Sequence, residues 1–315
     1  TPNPETCKPM CRPDQLAEVK EANDIAGYVT EEAAKETGLA VGTPVIVGTD
    51  DSGAEAISTG VVAPGKMMIQ FGSSIYMILG TEELVDDERL WREEFIVPGL
   101  CDISAGTNAA GSLTKWYRDN IFQDCVDKEK TTGVDAYQTM MDGVDQIPVG
   151  SEGLITLPYF AGERTPINDP LAKGIIIGLS LNHTRQHMYR SALESVAYSV
   201  NQQLSIMLSH DIPIDQIFAV GGGVKNELWM QIVADVTGKE ISTPLITVGA
   251  SFGDALMAAS GIKHPGFESF DQLTNFIKPG KTYYPNVENH EIYKKYQSIY
   301  DALYPLTKDV MHSLS

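Results

Sequence analysis

The chain has 315 residues, which at roughly 150 residues per domain predicts about two domains or one large one. Hydrophobic residues make up 43% and charged residues 21%, a balance that allows a sizeable buried core and argues against disorder. The 42 acidic residues against 23 Lys and Arg give a formal net charge of -19, which disfavours nucleic acids and anionic membranes as partners. A local basic pocket for one nucleotide is still compatible with this charge.

No segment predicts a membrane span or a secretion signal. The longest apolar stretch without a charge, residues 67–81, is short and contains glycine and polar residues. Residues 1–23 lack the apolar centre of a signal peptide. Four cysteines in a chain of this length do not form a disulfide framework, which fits a reducing cytosol. The sequence therefore predicts a cytoplasmic protein, and its first residue, Thr1, indicates an internal piece of a longer chain.

The amino-terminal quarter predicts a lead-in segment and then two short elements. Residues 1–24 are rich in proline and charge, with little apolar periodicity. Thr30 is followed by two glutamates, which predicts a capped helix that ends at Gly38. The apolar run 44–48 predicts a short buried strand, which leads directly to Asp50.

The rest of the chain predicts a β-hairpin followed by alternating strands and helices. The hairpin covers residues 66–80 and turns at a Gly-Ser-Ser sequence. The other predicted elements are strands at 101–104, 154–157, 174–181, 214–220 and from 241, and helices at 52–60, 108–122, 182–210, 226–237, 249–260 and 287–312. This succession predicts an α/β layer protein in which ligands bind at glycine turns that follow strands.

Asp50 is a candidate catalytic carboxylate. It stands at the end of a predicted buried strand and before a helix, where its side chain can point into a cleft. An Asp that accepts the proton of a substrate hydroxyl is a recurring device in phosphoryl transfer. The alternative role is a helix N-cap, but Asp51 is the residue that we expect to cap the helix at 52.

Two glycine turns in the first half of the chain suit anions. Gly72, Ser73 and Ser74 form a tight hairpin turn, whose N–H groups and hydroxyls suit phosphate oxygens. Residues 106–111 lead into a helix, whose positive N-terminal dipole favours an anion. Each segment is also explained as an ordinary turn.

A third turn contains three consecutive glycines after a strand and before a helix. Residues 221–223 let the backbone approach a flat or bulky group without a Cβ in the way. Asn226 offers both a donor and an acceptor, which suits the edge of an adenine. The spacing matches neither the dinucleotide fingerprint nor the Walker A loop.

Other charged and metal-binding patterns are weak. His183 and His187 have the spacing of a zinc pair, but the expected Glu is absent, and a solvated helix start explains them better. Cys7 and Cys11 have no second pair, so we assign no metal ligand in this chain. The loop 163–166 contains Glu and Arg side by side, which predicts a local ion pair.

Four stretches of the chain together resemble the FGGY family of carbohydrate kinases, and within it the xylulokinase-like sugar kinases. The most specific stretch, 174–194, matches the C-terminal signature of the family at every defined position. The other three are 162–170, 221–229 and 249–254. The resemblance covers about residues 25–262, which is most of the chain.

The resemblance implies an actin-like, ribonuclease H-like fold with two domains that close on a cleft. It also implies transfer of the γ-phosphate of ATP to a sugar hydroxyl, with Mg²⁺. Asp50 matches the catalytic base, and Asp51 stands where relatives often carry a sugar-binding Asn or Gln. The implied nucleotide-binding residues are Gly72, Ser73, Ser74, Gly111, Lys115, Gly222, Gly223 and Asn226.

The resemblance also divides the chain. Residues 1–48 correspond to a lead-in and the final piece of the first domain, 49–280 to the second domain, and 281–315 to a helical tail. We find no Asp-x-Gly-Thr phosphate loop of the first domain, so we expect a fragment that cannot phosphorylate a sugar alone. An actin-like ATPase and a non-catalytic nucleotide-binding module are the alternatives. The identity of the sugar and the formation of a homodimer stay open.

Overall fold

The computed structural model describes residues 11–314. Residues 1–10 of the predicted lead-in segment 1–24 therefore lie outside the described residues. The strands are β1 (Ile25–Tyr28), β2 (Pro44–Ile46), β3 (Lys66–Phe71), β4 (Ile75–Thr81), β5 (Trp91–Glu94), β6 (Cys101–Thr107), β7 (Ile155–Leu157), β8 (Ile175–Ile177), β9 (Gln216–Val220), β10 (Ile241–Pro244) and β11 (Pro279–Tyr283). The helices are α1 (Glu31–Thr37), α2 (Asp51–Ser58), α3 (Gly111–Asn120), α4 (Gln123–Thr132), α5 (Ala136–Met140), α6 (Arg185–Leu208), α7 (Glu227–Thr237), α8 (Ala250–Gly261), α9 (Phe270–Leu273) and α10 (Val287–Ser313).

Seven of the described strands form one mixed sheet in the order β11-β10-β9-β3-β4-β6-β5. Strands β3, β9 and β10 run parallel, and the hairpin β3–β4 pairs Phe71 with Ile75. Because β4 is antiparallel to both β3 and β6, these two strands run in the same direction, and Thr107 also pairs with Ile75. The last residues of β3, β6, β9 and β10 therefore lie at one edge of the sheet, which we call the carboxyl edge.

Helices cover both faces of this sheet, so its central strands are apolar on both sides. On one face, Met67 and Ile69 pack with residues of α3, α6 and α7 in the largest hydrophobic core. On the opposite face, Met68 and Ile78 pack with Ala56 of α2.

Helices α2 and α8 cross at very short distance. A Cβ added to Gly253 would lie 1.8 Å from the carbonyl oxygen of Ala54, so only glycine allows this approach. The Glu55 carboxylate accepts a hydrogen bond from the Ala250 backbone N–H at 3.0 Å, which fixes the start of α8. Burial raises the pKa of Glu55.

The carboxy-terminal helix α10 packs on the body of the chain. Tyr293 and Tyr300 are buried in the largest core. The Tyr293 hydroxyl donates to Glu194 at 2.9 Å, and this buried carboxylate also pairs with Arg190 at 3.0 Å and accepts from the Ser151 hydroxyl at 2.8 Å. A buried carboxylate is tolerated when it is paired and hydrogen-bonded in this way.

The predicted hairpin, the alternation of strands and helices and the caps of α1 are confirmed. Strands β2, β5 and β11 differ from the prediction. The strand predicted at 44–48 is not buried: among the described strands, β2 pairs with β1 alone, and Val45 stays 46% exposed. The strands β5 and β11 escaped the sequence analysis because edge strands carry charges, proline and glycine in place of an apolar alternation.

Within residues 11–314, no helix combines the length and the hydropathy that a membrane span requires.

We predict that Gly253→Ala lowers the free energy of unfolding by about 1–3 kcal/mol, since the added methyl group forces α2 and α8 apart. Urea unfolding measures this change. Gly27→Ala is the matched control, because a Cβ at Gly27 meets no atom within 4 Å. Equal stability of the two variants would contradict the described contact.

Candidate functional site

The structure brings the predicted hairpin turn and the 106–111 segment together at the carboxyl edge. The backbone N–H groups of Ala110 and Ser112 both donate to the Ser73 carbonyl oxygen at 3.0 Å, and that of Gly111 donates to the Gly72 carbonyl oxygen at 3.0 Å. These N–H groups were expected to attract an anion, but they hold the hairpin turn instead. A Cβ at Gly111 would lie 2.5 Å from the Gly72 oxygen, so the glycine at 111 is required by this contact.

The triple-glycine turn lies against the end of β3. Gly221 has a φ of +89°, and a Cβ there would lie 2.7 Å from the Phe71 carbonyl oxygen. A Cβ at Gly223 would lie 2.8 Å from the Phe71 Cβ and 3.0 Å from the Trp229 ring. A Cβ at Gly222, in contrast, would meet no atom within 4 Å. Internal packing thus explains the glycines at 221 and 223, whereas at 222 the backbone faces open space.

Asn226 caps helix α7. Its Oδ1 accepts from the Trp229 backbone N–H at 3.1 Å, and its Nδ2 lies 3.3 Å from the Met141 sulfur, which is a weak acceptor. The sequence indicated an adenine contact but did not indicate this cap. Its Oδ1 is thus used by the cap, and its Nδ2 faces a weak acceptor.

Asp50, and not Asp51, caps helix α2, so the predicted N-cap at Asp51 is wrong. Asp50 has the extended backbone of an N-cap residue, with φ -70° and ψ 171°, and its Oδ1 accepts from the Gly53 N–H at 2.7 Å. Asp51 is already the first helical residue. In the described part of the chain, Oδ2 of Asp50 has no hydrogen bond, and this residue is exposed.

Lys115 points from α3 toward Asp119, with which its ammonium group forms an ion pair one turn along the helix. The Lys115 side chain is 62% exposed, and such pairs contribute little to stability. The neighbouring Trp116 packs edge-on against Phe160 at a centroid distance of 5.1 Å. The predicted nucleotide contact of Lys115 stays a prediction.

Sequence reasoning missed a buried carboxyl group on β6. Asp102 is 1% exposed, and its Oδ1 has no hydrogen-bond partner among the described residues. Burial, together with the charges of Glu93 and Asp50, raises the pKa of Asp102 to about 7. Burial followed by the charges of Asp102, Glu93 and Asp50 also raises the pKa of Tyr76. Asp50 therefore acts electrostatically on this face of the sheet. The alternation of Asp102 and Ser104 in a strand was the available signal.

The loop 163–166 does not hold the predicted ion pair. The buried Glu163 carboxylate accepts from the Thr107 hydroxyl at 2.6 Å, from the Asn108 N–H at 3.2 Å and from the Arg164 N–H at 2.6 Å. Burial is the main cause that raises the pKa of Glu163 to about 7. A carboxylate that accepts backbone and hydroxyl donors needs no cationic side chain.

The two histidines lie at the start of α6. The Nδ1 atoms of His183 and His187 accept from the backbone N–H groups of Ser180 and Thr184, at 2.9 Å and 3.2 Å. Cys7 of the CxxxC pattern lies outside the described residues. Between residues 11 and 314, no three His, Cys, Asp or Glu side chains come together as a metal site.

This architecture, a central mixed sheet between helices with its turns at one edge, is that of the actin-like ATPase fold. The chain is similar over its length to the solved xylulose kinase of Rhodospirillum rubrum, with a TM-score of 0.82, 30% identity, and coverage of 96% of this chain and 59% of that one. The solved ligand-bound xylulose kinase of Lactobacillus acidophilus has a TM-score of 0.86 at 21% identity over 96% of this chain and 60% of that one.

Residues 67–262 match the model of the C-terminal domain of the FGGY family of carbohydrate kinases, and the chain belongs to that family. The chain is 29% identical to a xylulose kinase of Staphylococcus epidermidis over 93% of its own length. It is 33% identical to a ribulokinase of Anoxybacillus flavithermus over 92%. It spans 57% and 53% of these two relatives, a little more than half of their length.

We predict that Asp102→Asn flattens the dependence of stability on pH. Asp102 has its ordinary pKa of 3.8 when unfolded and about 7 when folded, so its contribution to stability is complete below pH 3.8. That contribution is lost as the pH rises through 7, by up to about 1.4 kcal/mol per pH unit. Unfolding free energies of both proteins between pH 4 and 8 test this. Parallel curves would contradict an ionisable, buried Asp102.

Proposed function

We propose that this chain forms the nucleotide site and carries the catalytic base of an ATP-dependent sugar kinase. The observation that carries the proposal is the convergence of the hairpin turn 72–74 and the glycine turn 221–223 at the carboxyl edge, around the end of β3. Gly222 faces open space there, and the Ser73 and Ser74 hydroxyls have no hydrogen-bond partner in the described part of the chain. Family membership supports the same function.

In the proposed site, each turn holds one part of the nucleotide. The hydroxyls of Ser73 and Ser74 and the Gly72 backbone suit the phosphates. The Gly222 and Gly223 backbone and the Asn226 amide suit the adenosine, because a flat ring can approach a backbone that carries no side chain. Gly111 contributes by allowing the hairpin turn to lie against α3, and Lys115 adds a positive charge on the first turns of that helix.

Asp50 is the proposed general base. One carboxylate oxygen is held by the Gly53 N–H, and the other is open to the hydroxyl of a sugar. As that hydroxyl attacks the terminal phosphorus of ATP, the bond from this phosphorus to the bridging oxygen breaks and ADP leaves, while the hydroxyl proton passes to the open oxygen. Asp51 is the proposed sugar-binding neighbour, since its exposed carboxylate accepts only a long contact of 3.5 Å from Ser52.

The family implies Mg²⁺ as a second cofactor. Mg²⁺ is commonly held by substrate phosphates, several waters and at most two carboxylates, and dedicated protein cages are unusual for it. The described residues hold no cluster of three metal-binding groups, which fits an ion that enters with ATP. When bound, it would neutralise charge on the phosphates, and we assign it no protein ligand.

A ketopentose is the proposed substrate class, because the relatives described above, a xylulose kinase and a ribulokinase, are named for such sugars. We propose that residues 1–48 complete a first domain, that 49–280 form the second domain and that 281–315 cover it. Since the relatives are longer, we propose that phosphorylation requires their remaining part in the same polypeptide.

We predict that Gly222→Ala weakens ATP and ADP binding by about tenfold while stability is unchanged. The methyl group meets no protein atom, so only a ligand that approaches this backbone is displaced. Titration calorimetry of the 315-residue chain with each nucleotide and Mg²⁺ measures the affinity. Gly27→Ala, equally open but on β1, should bind as the wild type does. Unchanged affinity in Gly222→Ala, or a wild type that binds neither nucleotide, would contradict the proposed site.

We predict that Asp50→Asn lowers turnover by about 10²–10⁴-fold and preserves ATP affinity, because Asn still caps α2 but accepts a proton poorly. Turnover is measured with xylulose and ribulose on a chain that includes the remaining part of the family's length. Asp135→Asn is the matched control, since Asp135 is an exposed N-cap of α5. Near-normal turnover of Asp50→Asn would remove Asp50 from the mechanism.

A further inference from the structure

The buried carboxylate of Glu163 lies outside the proposed site and accepts hydrogen bonds from residues 107–108, which lead into the segment that holds the hairpin turn. Glu163 is 3% exposed and accepts from the Thr107 hydroxyl and the Asn108 N–H, the last residue of β6 and the first residue after it. The Asn108 side chain donates in turn to the Ala161 carbonyl oxygen at 3.0 Å. The Thr165 N–H donates to the Gly106 carbonyl oxygen at 3.2 Å. The loop and the end of β6 are thus joined by four hydrogen bonds.

The same segment continues directly into the contacts that hold the hairpin turn. Two residues after Asn108, the N–H groups of residues 110–112 donate to the carbonyl oxygens of Gly72 and Ser73. The Ser112 hydroxyl also donates to the Ser73 oxygen, at 2.8 Å, which is the third bond to that oxygen. Any displacement at residues 107–108 therefore changes the position of the donors on which the turn rests.

The Glu163 loop is itself fixed from the opposite side by the carboxy-terminal helix. Glu163 and Asp169 exchange two backbone hydrogen bonds, each of 2.9 Å. The Asp169 carboxylate accepts from the Tyr304 hydroxyl at 2.7 Å and contacts the His312 ring nitrogen at 2.6 Å, and both of these residues belong to α10. The loop that carries Glu163 is therefore held by α10 on one side and contacts the end of β6 on the other.

We propose that Glu163 is a positioning residue for the phosphate-binding turn: it fixes the segment 107–112, which in turn fixes Gly72, Ser73 and Ser74. This inference rests on the proposed function, since it assigns phosphate to that turn. Glu163 touches neither the phosphates nor the sugar, and its effect passes through backbone geometry. Glu163 suits this task because its two carboxyl oxygens accept together from the Thr107 hydroxyl and from the Asn108 and Arg164 N–H groups.

The inference predicts a selective loss of phosphate binding. In Thr107→Val, which removes one donor and keeps the side-chain shape, we expect amide exchange at residues 72–74 and 108–112 to rise about tenfold. ATP affinity falls about tenfold, whereas adenosine affinity is unchanged because residues 222–226 do not rest on Glu163. Glu163→Ala gives a larger loss of the same kind, and Glu163→Gln, which keeps one acceptor oxygen, restores part of it.

Hydrogen exchange with mass spectrometry and titration calorimetry on the 315-residue chain measure these effects. Glu194→Gln is the control, because Glu194 is equally buried but bonds to Arg190, Ser151 and Tyr293. Glu194→Gln should lower the free energy of unfolding, but the ratio of ATP affinity to adenosine affinity should stay that of the wild type.

Two outcomes would overturn the inference: wild-type exchange at 108–112 in Thr107→Val, or an equal fall of ATP and adenosine affinity. Failure of the wild-type chain to bind ATP would instead count against the proposed function and the phosphate role together. The exchange data would still decide whether Glu163 holds the turn, so the two failures can be told apart.

Discussion

Backbone hydrogen bonds between the first turn of α3 and the β3–β4 hairpin are the contacts from which the proposed site is built. They require that two segments distant in sequence approach to hydrogen-bonding distance with no side chain between them, which the glycine at 111 allows. The donors at a helix start are usually left for water, a cap or an anion. Here they are used to hold a turn.

The glycines at the carboxyl edge serve two separable purposes. Those at 111, 221 and 223 are enforced by neighbouring atoms of the chain itself, and their replacement would disturb the fold. The glycine at 222 has no such neighbour, and neither packing nor a left-handed backbone accounts for it. Because this open position also lies beside the hairpin turn at the carboxyl edge, it agrees with the nucleotide contact proposed for Gly222.

The sequence predicted the order of elements well, because hydrophobic periodicity and glycine turns are local signals. Strands β5 and β11 were not predicted, since their pairing is decided by neighbours far along the chain. The cap of α2 lies at Asp50 and not at Asp51 because the helix begins one residue earlier than its composition indicates. Glu163 and Asp102 were assigned no function, because burial of a carboxyl group depends on tertiary packing that no spacing reveals. The assignments that came from family resemblance, such as Lys115, are not decided by the fold.

The cap formed by Asp50 has a consequence for the entropy of the proposed reaction. An exposed aspartate in a loop samples several rotamers, and a reaction must select one of them each time. The bond from the Gly53 N–H removes much of this freedom while the chain folds, and it leaves the second oxygen in a fixed direction. Helix α2 is in turn locked to α8 at Gly253. The orientation of the carboxylate is thus set by the packing of two helices, and a sugar hydroxyl would meet a base that is already aligned.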